Sequence, residues 1–139
     1  IWLSISKVNK LSAEISEIKT SGDLSLITLN CHGELFSSLI ISHQEEYIQK
    51  GNKVYMVFKE TEVSIGKSLN GGLSIRNRFK SVIEEIEKRI LLSEIRLNFK
   101  GKIITSIITT SSCEALDLRM GEEVEGLLKT TELFIMKYE

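Results

Sequence analysis

The chain lacks proline altogether and has only two cysteines, two histidines and 6 % aromatic residues among its 139 residues. Neither Cys31 nor Cys113 has metal-ligand spacing around it, so we expect reduced, buried thiols and no metal held directly by side chains. No apolar run approaches the roughly 20 residues of a membrane span, and the N-terminus lacks the pattern of a signal peptide. These absences favour a cytoplasmic globular protein that makes no membrane contact.

The chain has 18 basic and 19 acidic residues and a formal net charge of -1, so charges of neither sign are in clear excess. A surface that binds nucleic acid normally shows a strong basic excess, and single-strand binders add aromatic stacking platforms. We therefore expect no direct nucleic-acid contact. No catalytic constellation is visible either, and His32 and His43 favour solvated or capping roles. The sequence thus predicts a protein that is not an enzyme.

The sequence contains two copies of one module. Residues 6–46 align with residues 74–114 at an offset of 68, and residues 51–65 align with residues 121–135 at an offset of 70. We place the two units at residues 1–67 and 74–139, with a glycine-containing linker at 68–73. Units of roughly 65 residues are marginally stable alone, so we expect a homo-oligomer, either a dimer or a trimer. Identities between the copies include Ser6 and Ser74, Asn9 and Asn77, Ile15 and Ile83, Leu29 and Leu97, Lys59 and Lys129, and Thr61 and Thr131.

Each copy is predicted to form five strands with one short helix between the third and the fourth. In the second copy the alternating β-branched segments are 79–86, 92–99, 102–109, 123–128 and 133–136, and the helix covers 112–118. Ser111 or Ser112 is its expected N-cap, with Glu114 in its first turn. The first copy predicts strands at 11–18, 24–31, 34–41, 53–58 and 62–65 and a helix at 42–49. This order predicts an all-β chain of two tandem OB-like five-stranded Greek-key barrels, each with one short helix.

Residues 74–80 read Ser-Ile-Arg-Asn-Arg-Phe-Lys, and this stretch resembles the opening Ser-Ala-Arg-Asn-Gln-Leu-Lys-Gly pattern of the molybdate-binding Mop family, also called the TOBE domain. Residues 109–112 resemble the family's Thr-x-x-Ser element, and residues 120–124 resemble its Gly-x-x-Val turn. Residues 128–133 are similar to its closing Ile-Lys-Ala-Thr/Ser-x-Val stretch. The resemblance therefore spans the second copy, and the first copy repeats it more weakly.

The resemblance implies a ligand, molybdate or tungstate, and no organic cofactor. Both ions are tetrahedral dianions that carry only acceptor oxygens, so a site must supply hydroxyl, N–H and cationic donors without carboxylates. Ser112 stands near a helix start, where free N–H groups favour an anion, and Asn77 could instead hold the loop that presents its neighbours' amides. The candidate oxyanion-binding residues of the second copy are Ser74, Ile75, Arg76, Asn77, Thr109, Ser112, Lys129 and Thr130.

The first copy departs from this pattern. Val8 replaces the arginine, Ile41 and Gln44 stand at the positions of Thr109 and Ser112, and Glu60 stands at that of Thr130. Its weaker candidates are Ser6, Lys7, Asn9, Ser42 and Lys59. In the family the sites lie between modules, so the resemblance implies sites at intermodule or intersubunit interfaces.

Three roles fit the resemblance. The absence of an initial methionine before Ile1 suggests the ligand-sensing part of a molybdate-responsive transcription regulator. A stand-alone molbindin that stores the oxyanion is the alternative, and the regulatory tail of a molybdate importer is a third. From a different class, an OB-type nucleic-acid-binding module remains an alternative.

Overall fold

The computed structural model describes residues 7–41 and 45–139. Ten strands were predicted, and ten are present, with one α-helix and two short 3-10 helices at Glu60–Glu62 and Thr130–Glu132 in the described residues. The first copy contributes β1 (Val8–Ser21), β2 (Leu24–Cys31), β3 (Glu34–Ile41), β4 (Lys53–Lys59) and β5 (Ser64–Gly66). The second contributes β6 (Asn77–Lys88), β7 (Leu92–Phe99), β8 (Lys102–Thr109), α1 (Thr110–Ala115), β9 (Glu123–Leu128) and β10 (Phe134–Lys137).

Two details of the predicted helices were wrong. Helix α1 begins at Thr110, so its N-cap is Thr109 and Glu114 lies beyond its first turn. Thr109 is extended, and its hydroxyl accepts a hydrogen bond from the Ser112 amide, which satisfies one of the free N–H groups of the first turn. In the first copy, residues 45–49 form turns rather than a helix, while residues 42–44 of that prediction lie outside the described residues.

The strands alternate between buried and exposed residues because each barrel has a dry interior and a wet exterior. In β2, for example, Ser25, Ile27, Leu29 and Cys31 point inward. The long first strand of each copy carries a bulge at the same place, between Ile15 and Glu17 in β1 and between Ile83 and Glu85 in β6. A bulge bends and twists a strand, so one strand can take part in both walls of a small barrel.

The closing strands are exchanged between the copies. One sheet has the order β10-β4-β1-β2-β3, and the other has the order β5-β9-β6-β7-β8. Each barrel therefore receives its last strand from the other copy. The Ser38 hydroxyl on β3 donates to the Leu133 carbonyl before β10, and the Ser106 hydroxyl on β8 donates to the Val63 carbonyl before β5, both over 2.6 Å. These bonds connect the two edges of each sheet and close the barrels.

The interior is continuous between the two barrels. Phe36 of β3, Phe79 of β6 and Phe99 of β7 are buried with ring centroids 5.5–5.9 Å apart. Burial also raises the pKa of the Cys31 thiol to about 11, so this cysteine stays a thiol. Cys113 is buried as well, and neither cysteine is in a disulfide. Exchanged strands and a shared core predict that the two barrels unfold together.

No helix among the described residues is long and apolar enough to cross a lipid bilayer.

Candidate oxyanion site

A loop formed by Ser74, Ile75 and Arg76, here called the 74–76 loop, precedes β6 and lies beside the end of β9. Antiparallel pairing of Asn77 with Leu128 places the residues before β6 next to those after β9. A pocket of about 170 Å³ forms between them. Its lining residues are Ser74, Ile75, Arg76, Lys129, Thr130 and Thr131. Five of the eight second-copy candidates are thus brought to one place.

The chemistry of this pocket suits an anion. Its lining supplies two cationic side chains and three hydroxyls and contains no carboxylate. A neighbouring pocket shares Ile75 and Lys129 but is lined also by Glu62 and Glu132. Because a tetrahedral dianion offers only acceptor oxygens, the carboxylate-free pocket is the better of the two for it.

Both cationic side chains of the pocket are free to bind a ligand. Arg76 and Lys129 are exposed, and no hydrogen bond or ion pair within the described residues occupies either side chain. The next arginine along the chain differs, since Arg78 makes a two-pronged contact of 3.0 and 2.8 Å to Glu125 and so lowers the pKa of that carboxyl. Arg78 is therefore committed to the outer face of the sheet, and Arg76 remains available for a ligand.

Thr109 and Ser112 are not part of this pocket. The Thr109 hydroxyl donates to the Ser112 hydroxyl over 2.9 Å and accepts from the Ser112 amide over 3.1 Å. Both residues are exposed, at the start of α1. The Thr110 amide donates to the Leu91 carbonyl just beyond the far end of β6. The 74–76 loop and the Thr109 and Ser112 pair thus stand at opposite ends of β6, whose 12 residues span roughly 35 Å when straight.

The remaining second-copy candidate, Asn77, is buried and fully engaged between the barrels. Its side-chain oxygen accepts from the Ser37 amide over 2.7 Å, and its side-chain nitrogen donates to the Ser37 carbonyl over 2.9 Å. Asn9 makes the same pair of bonds to Thr105, at 2.8 and 2.9 Å. The two asparagines therefore clamp each copy's first strand to the third strand of the other copy, and Asn77 anchors the 74–76 loop.

The first copy has a carboxyl group where the second has a hydroxyl. Glu60, at the position of Thr130, is only 8 % exposed, and its Oε1 atom has no hydrogen-bond partner within the described residues. Burial, and then the nearby Glu94, raises the pKa of Glu60, while Lys7 and Arg96 oppose that rise. A buried acidic group here disfavours a dianion, so the site chemistry of the two copies differs.

The other first-copy candidates have the following places. Lys59 is exposed and pairs with Val8 across the antiparallel strands β4 and β1. Lys7 is also exposed, and its carbonyl accepts a hydrogen bond from the Glu60 amide. Ser6 and Ser42 lie outside the described residues.

Thr131 lines the pocket but was missed in the sequence analysis, although its identity with Thr61 across the copies was a usable signal. The part of the chain that the structure describes holds no cluster of three or more His, Cys, Asp or Glu residues suited to a metal ion.

Comparison with known proteins places the chain in a family. A family model described as the TOBE domain matches residues 73–135. Molybdenum-pterin-binding protein 1 of Clostridium pasteurianum is 32 % identical over 65 residues, which are 96 % of that protein and 46 % of this chain. The chain belongs to the Mop/TOBE family.

Two further proteins are similar to this Mop/TOBE chain, one in sequence and one in structure. Molybdenum-pterin-binding protein MopB of Rhodobacter capsulatus is 36 % identical over 97 residues, which are 68 % of this chain and 36 % of that protein. The chain thus spans about a third of MopB. The crystal structure of the cytoplasmic molybdate-binding protein ModG with molybdate bound superposes with a TM-score of 0.88 and 21 % identity, covering 94 % of this chain and 96 % of ModG. The predicted pair of OB-like barrels is confirmed by this shared fold.

Proposed function

We propose that the pocket between the 74–76 loop and residues 129–131 binds molybdate or tungstate, without an organic cofactor and without covalent chemistry. The observation that carries the proposal is the lining of that pocket, which holds Arg76, Lys129 and three hydroxyls but no carboxylate. The relatives of the same family are molybdenum-pterin-binding proteins by name, which supports a ligand that contains molybdenum. Charge-assisted hydrogen bonds from Arg76 and Lys129 would offset the two negative charges.

The complete site takes donors from two places. Thr109 and Ser112 carry further hydroxyls, but they stand at the opposite end of β6 from the 74–76 loop. Donors from both groups meet on one ion only when another module or another subunit supplies one of them. We therefore place the site at an interface in a homo-oligomer.

Calorimetric titration of the whole chain tests this function. Molybdate and tungstate should give saturable heat that sulfate and phosphate do not match. Arg76→Ala and Lys129→Ala should each weaken binding by about 1.5–3 kcal/mol, the usual value of a hydrogen bond to a charged group. Lys19→Ala, which removes an exposed lysine of β1 outside the pocket, is the matched control and should have little effect. Absence of heat and of thermal stabilisation with both ions, or full affinity in both second-copy variants, would refute the site.

For the biological role, we propose the ligand-sensing part of a molybdate-responsive transcription regulator. The stretch of MopB that matches this chain is 36 % of MopB, so modules of this family occur within longer proteins. Storage of the oxyanion by a stand-alone protein is the second candidate, and it is supported by a relative that one module spans almost completely. The sequence of the full-length gene product distinguishes them, because a transcription regulator requires a DNA-binding element such as a helix-turn-helix in the same protein.

A further inference from the structure

Lys67 directly follows β5, the strand that the first copy contributes to the second barrel. Its ammonium group has three partners in that barrel. It donates to the Leu116 carbonyl over 2.8 Å and to the Asp117 carbonyl over 3.1 Å, and it lies 2.8 Å from the Glu122 carboxylate. Because an ammonium group carries three hydrogens, these partners use its whole donor capacity. The side chain of Lys67 is therefore fixed in place.

The partners of Lys67 lie where helix α1 ends. Leu116 is the C-cap of α1, and Asp117 follows in the left-handed backbone conformation, with a φ of 51°. The last carbonyl groups of a helix have no partner within the helix, and the helix dipole favours a cation at this end. Because α1 has only six residues, too few for a helix that is stable alone, its position depends on contacts such as these. Lys67 thus ties the end of α1 to Glu122, which directly precedes β9.

A short series of hydrogen bonds joins Lys67 to the hydroxyl donors at the other end of α1. Lys67 binds the Leu116 carbonyl, and the Leu116 amide donates to the Ser112 carbonyl over 3.0 Å. The Ser112 amide in turn donates to the Thr109 hydroxyl over 3.1 Å. Helix α1 is less than two turns long. A shift of its last residues therefore also moves the hydroxyls of Thr109 and Ser112.

The first copy keeps the lysine but not its contacts. Lys137 is equivalent to Lys67, and its side chain makes no hydrogen bond or ion pair within residues 7–41 and 45–139. Asn52 stands at the position of Glu122, so the carboxylate partner is replaced by a neutral amide. The first copy also has other residues at the positions of the two hydroxyl donors. The complete set of lysine contacts and the hydroxyl donors therefore occur together, in the second copy.

We propose that Lys67 is a positioning residue of the oxyanion site, which acts by holding α1 where the Thr109 and Ser112 hydroxyls can reach the ion. This inference rests on the proposed oxyanion function. Lys67 does not line the pocket that contains Arg76 and Lys129. All three of its ammonium hydrogens have partners in the protein, so none is left for a ligand. Its effect on binding is therefore indirect and passes through α1.

The test compares Lys67→Met, which removes the ammonium group but keeps an unbranched side chain, with Lys67→Arg, which keeps a cationic donor. Lys88→Met is the matched control. The pKa of Asp117 is lowered mainly by Arg119 and also by the charges of Lys67 and Lys88. Lys88 is exposed, and its side chain makes no hydrogen bond in the part of the chain that the structure describes. The control thus removes a nearby positive charge without removing a contact to α1.

Molybdate affinity is measured by calorimetry on the whole chain. Lys67→Met should keep its melting transition, because Cys113 and Leu118 anchor this segment in the core. It should bind molybdate about tenfold more weakly than the wild type, the equivalent of one or two neutral hydrogen bonds, and the Leu116 amide should lose protection from hydrogen exchange. Lys67→Arg should recover most of the affinity, and Lys88→Met should bind as the wild type does. Full affinity in Lys67→Met, or an equal loss in Lys88→Met, would overturn the inference.

A second measurement shows whether Lys67 acts through α1. Combined with Ser112→Ala, Lys67→Met should weaken binding less than it does alone, because part of the interaction that it disturbs is already absent. Combined with Arg76→Ala, which changes the other donor group, it should keep its full effect. Equal losses in the two backgrounds would overturn the inference and leave the proposed function intact. A wild type that binds neither molybdate nor tungstate would instead refute the proposed function, and this inference with it.

Discussion

The asparagine clamps provide the most direct test of how the two barrels are held together. Asn77→Ala removes both bonds to the Ser37 backbone, and Asn9→Ala removes both bonds to the Thr105 backbone. The two variants delete the same chemical group in the same geometry. Their partners differ in exposure, however, since Ser37 is half-buried whereas Thr105 is only 8 % exposed.

Because of this difference in exposure, the two variants should lose different amounts of the free energy of unfolding. Each lost hydrogen bond has a net value of about 1 kcal/mol, so Asn77→Ala should lower the free energy of unfolding by about 2 kcal/mol. Water can then reach the freed amide and carbonyl of half-buried Ser37. Around Thr105 water has little access, and the additional desolvation cost of an unsatisfied group should raise the loss in Asn9→Ala to about 3–4 kcal/mol.

Urea unfolding followed by circular dichroism measures both losses in the absence of ligand, and amide hydrogen exchange reports on Ser37 and Thr105 individually. The Ser37 amide should lose protection selectively in Asn77→Ala, and the Thr105 amide in Asn9→Ala. Asn70→Ala changes an exposed asparagine and should stay within about 0.5 kcal/mol of the wild type. Losses below about 1 kcal/mol in both clamp variants, or a larger loss for Asn77→Ala than for Asn9→Ala, would refute the reasoning.

Two other predictions concern positions where the copies differ. Gly126 lies opposite Phe79, and a Cβ added there would overlap the phenyl ring, so Gly126→Ala should cost about 1–3 kcal/mol in urea unfolding. Adding Phe79→Leu should reduce that cost, as in the first copy, where Leu11 pairs with Met56; strictly additive losses would argue against the overlap. Burial raises the pKa of Glu60, so its ionisation opposes folding and the wild type loses stability as pH rises from its ordinary pKa toward the raised one. Glu60→Gln should therefore be more stable than the wild type near neutral pH, with the difference vanishing below the ordinary pKa, and an equal difference at all pH values would contradict this.

Local pattern in the sequence predicted most of the secondary structure. The segments 24–31, 92–99 and 102–109 were predicted with the observed limits, because alternation of β-branched residues with polar ones is a property of each strand by itself. Helix prediction was weaker. The start of α1 depended on which of several adjacent hydroxyl residues caps it, and in the first copy residues 45–49 form turns.

Local pattern also explains why part of the candidate site could be predicted. The 74–76 loop and Lys129 flank β6 and β9, two strands of one sheet that pair directly, so the family-like motifs at their ends meet in a pocket. The burial of Asn77 could not be read from its type, because asparagine is mostly exposed and is favoured in turns and caps. Its partner Ser37 is 40 residues away and contributes only backbone atoms to the contact. Because every residue except proline has the same backbone groups, the residue type at position 37 does not indicate this contact.

The sequence by itself determined that this protein is a duplicated all-β module of the Mop/TOBE type, since the repeat, the strand pattern and the motifs are all local. Tertiary structure alone decided the exchange of β5 and β10 and the separation of Thr109 and Ser112 from the 74–76 loop. The two closing strands occupy equivalent places in the two copies, so their pattern does not reveal which sheet each one joins. That choice is made by long-range contacts, and it unites two copies of one sequence into a single two-barrel structure.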